Sequence, residues 1–306
     1  MEMEFERFTV KNVIGLAAPH TWVAAIFPVL LGTLLAAALA DSVSPLLFVL
    51  LLAAAVLLQS SVNTINDYYD FIKGNDSEED FVDPGDSVLV YNKLNPGHVR
   101  FLGFSFMATA VLLGIYPVYH GGILPLLLGI FGCLVIIAYS AGKWPLSHLP
   151  LGEAVSGGVM GGLLTVAVYS TYTGYARWDI LLLSCPLIIG IGLIMMTNNT
   201  CDIERDMSVG RKTMPTLLGR ARAVILYRLL AGIWLALLVL LTAIWFSKGL
   251  LCTGLVLLLS IPALRKLWSS PLTPNRRGPC MDAILKANLW LNGAYLAGIF
   301  ASILLK

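Results

Sequence analysis

Apolar runs of about twenty residues, the length that crosses a bilayer at 1.5 Å per residue, recur nine times and leave little room for any other architecture. They fall near 13–40, 45–66, 100–118, 121–140, 152–173, 179–198, 223–245, 249–267 and 283–305. In hydrocarbon every backbone polar group needs a partner inside its own segment, so runs of this length are helices. With 58 % hydrophobic and 12 % charged residues, the expected fold is an all-α polytopic membrane protein, its helices arranged around a central cavity. The first run is too long for a cleavable signal and no small-residue cleavage site leads into a soluble domain, so it is expected to be retained. Polar connections near 73–99, 141–151, 199–222 and 268–282 are too poor in apolar residues to fold separately, which predicts one domain over 1–306.

Charge partitioning orients this layout. Of the 20 lysines and arginines only Arg177, Lys248 and Lys306 fall on the side opposite the N-terminus. The positive-inside rule therefore predicts a cytoplasmic N-terminus and cytoplasmic even-numbered loops. The acids are just as lopsided, with only Asp41 and Asp179 outside. Sorting acts on basic residues, so the acidic clustering asks for a functional explanation.

Two helix ends carry those acids. The second run ends through Asn63, Asn66, Asp67 and Asp70, the sixth through Asn198, Asn199, Asp202 and Asp206. Spacings of three and four put most of each set on one helical face. Such groups are costly against lipid, so two stripes point to a polar cavity. All-oxygen sites suit Mg²⁺, which binds few carboxylates and completes its shell with water and phosphate oxygens. Asp76 follows the first stripe after Lys73 and Gly74. Gly210, Arg211, Lys212 and Thr213 follow the second, where the basic pair suits the remaining charge of a diphosphate. Tyr139 and Lys143, one turn apart at the end of the fourth run, offer donors for a phosphate oxygen. Glu153, just inside the fifth run, is expected to line an acceptor pocket. Both stripes follow even-numbered runs, a weak repeat that places two similar half-sites on one membrane face.

Other chemistries lack their motifs. Cys133, Cys185, Cys201, Cys252 and Cys280 form no CxxC pair, and the four histidines have no metal-ligand spacing. There is no Walker loop, GxGxxG before a helix, HExxH or GxSxG. Nothing suggests a nucleic-acid partner, and oligomeric state is not encoded in any pattern of the chain.

The stretches NDYYDFIKGND, YSAGKWPLSHLPLGE and NNTCDIERDMSVGRKTMPTLLG resemble the two Asp-rich signatures and the intervening Tyr-to-Lys loop of the UbiA superfamily of intramembrane prenyltransferases. With the nine runs, the resemblance covers essentially the whole chain. It is greatest to the branch that prenylates 1,4-dihydroxy-2-naphthoate on the way to menaquinone, and to its animal relative that makes a menaquinone. The resemblance implies a UbiA-type fold and a first metal and diphosphate site of Asn66, Asp67, Asp70 and Asp76. It implies a second of Asp202 and Asp206, supported by Asn198 and Asn199. Tyr139 and Lys143 would contact the diphosphate, with Lys73 and Lys212 beside them. The loop EEDFVDPGDSVLVYNKLNPG lacks the arginines common in the family, leaving Lys93 to supply positive charge or the loop to serve another acceptor.

The implied reaction is Mg²⁺-dependent transfer of a polyprenyl group from its diphosphate to an aromatic acceptor, giving demethylmenaquinol from the naphthoate. Tyr68 or Tyr69 would stabilise the allylic cation. Acceptors of the same class are 4-hydroxybenzoate, haem, a glycerol phosphate ether lipid and a chlorin. A cation or proton transporter would instead distribute its acids over several helices near midplane. The expected location is a bacterial plasma membrane, with the acidic loops cytoplasmic.

Overall fold

The computed structural model describes residues 5–74 and 87–306, and among these every regular element is helical. In chain order the helices are α1 (Val10–Ala17), α2 (Val23–Ala40), α3 (Pro45–Ile72), α4 (Val88–Tyr91), α5 (Pro96–Gly121) and α6 (Ile123–Ser140). Then come α7 (Gly152–Ser156), α8 (Leu164–Thr173), α9 (Trp178–Leu183), α10 (Cys185–Cys201), α11 (Ile203–Ser208) and α12 (Met214–Leu218). The last three are α13 (Arg220–Trp245), α14 (Leu250–Ser269) and α15 (Arg277–Leu304). Eight runs among the described residues are long and apolar enough to span a membrane. The expected sixth span is instead two pieces, α9 and the 17-residue α10, joined at Ser184. Pro186 enters the first turn of α10, where its missing N–H costs nothing, and Tyr295 Oη donates to the Leu183 carbonyl exposed by the break at 3.0 Å.

The first span also differs from expectation: it begins at Val23, not near 13. Pro19 disfavours helical backbone at the residue before it, and Ala18 sits in the left-handed region at φ 47°. The carbonyl of Ala17 is recovered by Trp22 Nε1 at 3.2 Å and Asn63 Nδ2 at 3.1 Å. Helix α1 is thus a separate cap, with Leu16 buried against Val88, Leu89, Leu94 and Val99 at one end of the bundle.

Helix α3 starts cleanly, with Ser44 capping the Leu47 N–H and Pro45 in the first turn. Its 28 residues span about 42 Å at 1.5 Å each, against a hydrocarbon core of about 30 Å. Its final two turns carry Asn66, Asp67 and Asp70. Between α7 and α8 the backbone loosens into a π-helix over Gly157–Leu163, a local form often found at functional sites. Here it packs directly on α10: a Cβ on Gly161 would lie 2.6 Å from the backbone nitrogen of Ile188.

Polar side chains fix α10 in depth. Asn288 Nδ2 donates to the Gly190 carbonyl at 2.9 Å, Asn292 Nδ2 to Asn288 Oδ1 at 3.1 Å, and Trp234 Nε1 to Asn292 Oδ1 at 3.2 Å. Such bonds hold spanning helices together where lipid offers no hydrophobic drive between them. They link α10, α13 and α15, which aligns the end of α10 with the start of α15.

Candidate active site

Helices α3 and α10 each present one continuous stripe to a shared cavity of about 260 Å³. From α3 come Leu58, Val62, Asn66 and Asp70, and from α10 and its C-cap come Ile191, Ile194, Asn198 and Asp202. These positions recur every three to four residues, as one helical face requires. Both stripes change from apolar to polar toward the same end. Tyr139 of α6 and Met160 of the π-helix close the sides, while His20, Thr21 and Val88 belong to the capping segments. Among the expected site residues, Asn66, Asp67, Asp70, Tyr139, Asn198 and Asp202 are on the cavity wall.

Each of these is oriented by neighbours. Asn66 donates through Nδ2 to Asp70 Oδ2 at 2.7 Å and accepts from Ser140 Oγ at 2.9 Å. Asp67 Oδ2 accepts the backbone N–H of Leu89 at 3.4 Å, which ties the cap to the acidic turn. Tyr139 Oη donates to Met195 Sδ at 3.3 Å, a weak acceptor that an anion readily displaces.

In the second motif, Arg277 Nε donates to Asp202 Oδ2 at 3.1 Å and its Nη2 donates to Asn198 Oδ1. Asp206 is 2 % exposed and sits behind the wall, 3.4 Å from Arg211 Nη1 and bonded by Thr213 Oγ1 at 3.3 Å. Burial pushes its carboxyl up to about 6 against the opposing pull of Arg211. Arg211 reaches the cavity and gives Nη2 to the Ser147 carbonyl at 3.2 Å. Its Nε is buried with no hydrogen-bond partner among the described residues.

Several expected residues face elsewhere. Asn199 turns away from the cavity and donates to the buried Glu153 at 2.8 Å, so Glu153 braces α10 from behind and is not on the wall of this cavity. Lys73 gives Nζ to the Ser140 carbonyl at 2.7 Å, capping the end of α6; burial lowers its ammonium while Asp70 acts the other way. Lys143 is exposed beside the Trp144 ring. Lys212 is exposed too, with its backbone N–H on the His148 carbonyl at 3.1 Å. Burial, then Arg211 and Lys73, push His148 down to about 4, leaving a neutral ring in that loop. Tyr68 and Tyr69 lie off the α3 stripe, near Arg100 and Lys73 respectively. Asp76 lies outside the described residues.

The donor set fits Mg²⁺. Among the described residues no three His, Cys, Asp or Glu side chains form a ready metal cage, whereas Mg²⁺ needs only one or two carboxylates if phosphate and water complete its octahedron. The wall carries Asp67, Asp70 and Asp202 against Arg205, Arg211 and Arg277. These charges balance formally, so a divalent cation is what would make this end attractive to a diphosphate.

Comparison with known proteins gives a consistent result. Residues 25–281 match the model of the UbiA prenyltransferase family. The chain is 34 % identical over 211 residues to 1,4-dihydroxy-2-naphthoate octaprenyltransferase of Bacillus subtilis (strain 168), covering 69 % of this chain and 67 % of that protein. It is 28 % identical over 305 residues to UbiA prenyltransferase domain-containing protein 1 of Danio rerio, covering 98 % and 86 %. Its fold is similar to a UbiA homolog from Archaeoglobus fulgidus bound to DMAPP and Mg²⁺, with TM-score 0.63, 17 % identity and 96 % and 100 % of the two chains covered. The same homolog bound to GPP and Mg²⁺ gives TM-score 0.63 at 16 % identity, covering 95 % and 99 %.

Proposed function

The chain belongs to the UbiA prenyltransferase family and is an integral membrane prenyltransferase, and from that premise we propose that it moves a polyprenyl group from its diphosphate to 1,4-dihydroxy-2-naphthoate. The observation that carries the reaction is the shared cavity: two acidic helix ends at one pole and aliphatic walls at the other. The acceptor rests on the naphthoate octaprenyltransferase of Bacillus subtilis as a relative. The 1–306 chain acts as one domain, with its N-terminus and acidic ends on the cytoplasmic side of a bacterial plasma membrane.

The diphosphate sits at the polar pole, where Arg211 and Tyr139 on the cavity wall offer a guanidinium and a hydroxyl. Asn66, Asp67, Asp70, Asn198 and Asp202 supply oxygen donors, and Asp206 holds Arg211 in place. These oxygens would hold Mg²⁺, which would supply the charge neutralisation a departing diphosphate needs. Leu58, Val62, Ile191 and Ile194 receive the first prenyl units. The cavity lies just below the usual range of about 300–1,000 Å³ for ligand pockets, so a long tail continues past it between helices into lipid.

As the allylic C–O bond breaks, Asp67, Asp70 and Asp202 bear on the positive charge that develops at carbon. The electron-rich ring attacks that carbon, and the ring carboxyl leaves as CO₂, giving demethylmenaquinol and free diphosphate. The α1 and α4 cap limits water, which would otherwise trap the cation as an alcohol.

The test is product formation by purified protein with Mg²⁺ and a polyprenyl diphosphate, offering 1,4-dihydroxy-2-naphthoate and 4-hydroxybenzoate in parallel. A demethylmenaquinol mass from the naphthoate alone is expected. A product from 4-hydroxybenzoate alone overturns the acceptor while preserving the reaction.

A further inference from the structure

Arg277 opens the last span, where the positive-inside rule alone would account for it. Its neighbour Arg276 is exposed, but the Arg277 side chain is only 15 % exposed and belongs to the cavity wall. One guanidinium bridges Asn198 and Asp202, one turn apart at the C-terminal end of α10, from the start of α15. Both of those side chains are oxygen donors facing the cavity. A topogenic arginine needs none of these contacts.

A guanidinium on Asp202 and a divalent cation on the same carboxylate repel each other strongly over a few ångströms in a partly buried site. A diphosphate between them reverses the sign of the interaction, because both cations then attract it and the guanidinium can take phosphate oxygens. We infer that Arg277 is a diphosphate-recognition residue that makes cation and diphosphate bind cooperatively, opposing the metal alone and favouring the metal–diphosphate pair. The inference rests on the donor reading above. It assigns the second acidic motif a built-in requirement for both ligands.

The experiment measures Mn²⁺ binding by electron paramagnetic resonance and inorganic diphosphate binding by calorimetry, in detergent, for the full-length protein and its variants. Arg277→Gln is expected to tighten Mn²⁺ alone by about tenfold and to weaken diphosphate in the presence of Mn²⁺ by roughly ten- to a hundredfold, the range of a coupling between sites. Arg277→Lys keeps a charge but not the fork, so it is expected to keep Mn²⁺ alone weak while recovering part of the diphosphate affinity. If Arg277→Gln lacks a cooperative thermal transition, Arg277→Lys carries the test: diphosphate affinity unchanged from the parent overturns the recognition role.

Unchanged affinities in Arg277→Gln overturn the inference, and weaker Mn²⁺ binding alone does so too, since it would make Arg277 a scaffold for the metal. Arg276→Gln is the control, because an equal effect there would mean a general surface field. A parent protein that binds no diphosphate even with Mn²⁺ contradicts the donor reading itself, a distinct result from equal binding by parent and variant.

Discussion

The two acidic motifs look alike in sequence and are held differently. In the first, Asp70 accepts from the carboxamide of Asn66 and Asp67 from the backbone of Leu89, while Lys73 and Arg211 act on Asp70 through space. In the second, guanidiniums from other segments make direct ion pairs, Arg277 with Asp202 and Arg211 with Asp206. The hydrogen bonds from Asn66 and from the Leu89 N–H orient the carboxylates of Asp70 and Asp67. The ion pairs on the second offset charge until another cation or an anion rearranges them. The likeness of the motifs therefore reflects a shared position at a helix end, and the difference lies in what holds each acid: a carboxamide and a backbone N–H on the first, guanidiniums on the second.

The harshest test of that comparison removes one charge at a time without changing shape. Asp70→Asn and Asp202→Asn are each expected to reduce kcat by at least about a hundredfold, the scale of losing one preorganised electrostatic group, measured as prenylated product per membrane-inserted enzyme. Normal turnover in either variant would break the requirement for both motifs.

Next in size is the contrast between adjacent basic residues. Arg211→Gln removes a cavity donor and leaves the Asp206 carboxyl buried without its ion pair, so KM for the prenyl diphosphate is expected to rise by roughly ten- to a hundredfold, as for a lost charged hydrogen bond. Lys212→Gln, altering an exposed side chain, is expected to change it by less than about threefold, in line with the small worth of solvated charges. A reversed order would place the wrong residue in the cavity.

Smaller effects fall on the frame that presents the second motif. Glu153→Leu strands the buried Asn199 amide and is expected to cost about 1–3 kcal/mol, seen as a lower Tm in detergent; Glu153→Gln keeps an acceptor and is expected to cost less. Gly161→Val drives a side chain into the backbone at Ile188, with an expected penalty also of about 1–3 kcal/mol from overpacking. An unchanged Tm in both Glu153→Leu and Gly161→Val would mean that α10 is not braced from the π-helix side.

Much of this was legible in sequence for definite reasons. Run length marks spanning helices because lipid forbids unsatisfied backbone, and the period of three to four marks the α3 and α10 stripes because Leu58 to Asp70 and Ile191 to Asp202 share a face with their motifs. The break after Ala18 was hidden because α1 is apolar enough to read as part of the next helix, although Pro19 marked its end. Asn199 and Tyr69 were expected at the site from proximity along the chain, yet a helix turns neighbouring residues to different sides. Arg277 was absorbed into the topogenic charge at the loop end, and only the alignment of α15 with α10 separates it from Arg276. The second acid of the second motif misleads for a related reason: helix α11 begins at Ile203, so Asp206 belongs to a new segment and points at Arg211.

The central claim is that both motifs act on one diphosphate in one cavity. The most direct measurement is Mg²⁺-dependent binding of a non-reacting prenyl thiodiphosphate to the parent protein, Asp70→Asn and Asp202→Asn in the same membrane mimic. The account predicts saturable, Mg²⁺-requiring binding by the parent and at least about tenfold weaker binding by each variant, as expected for a lost charge-assisted contact. Binding by either variant at parental affinity would contradict it.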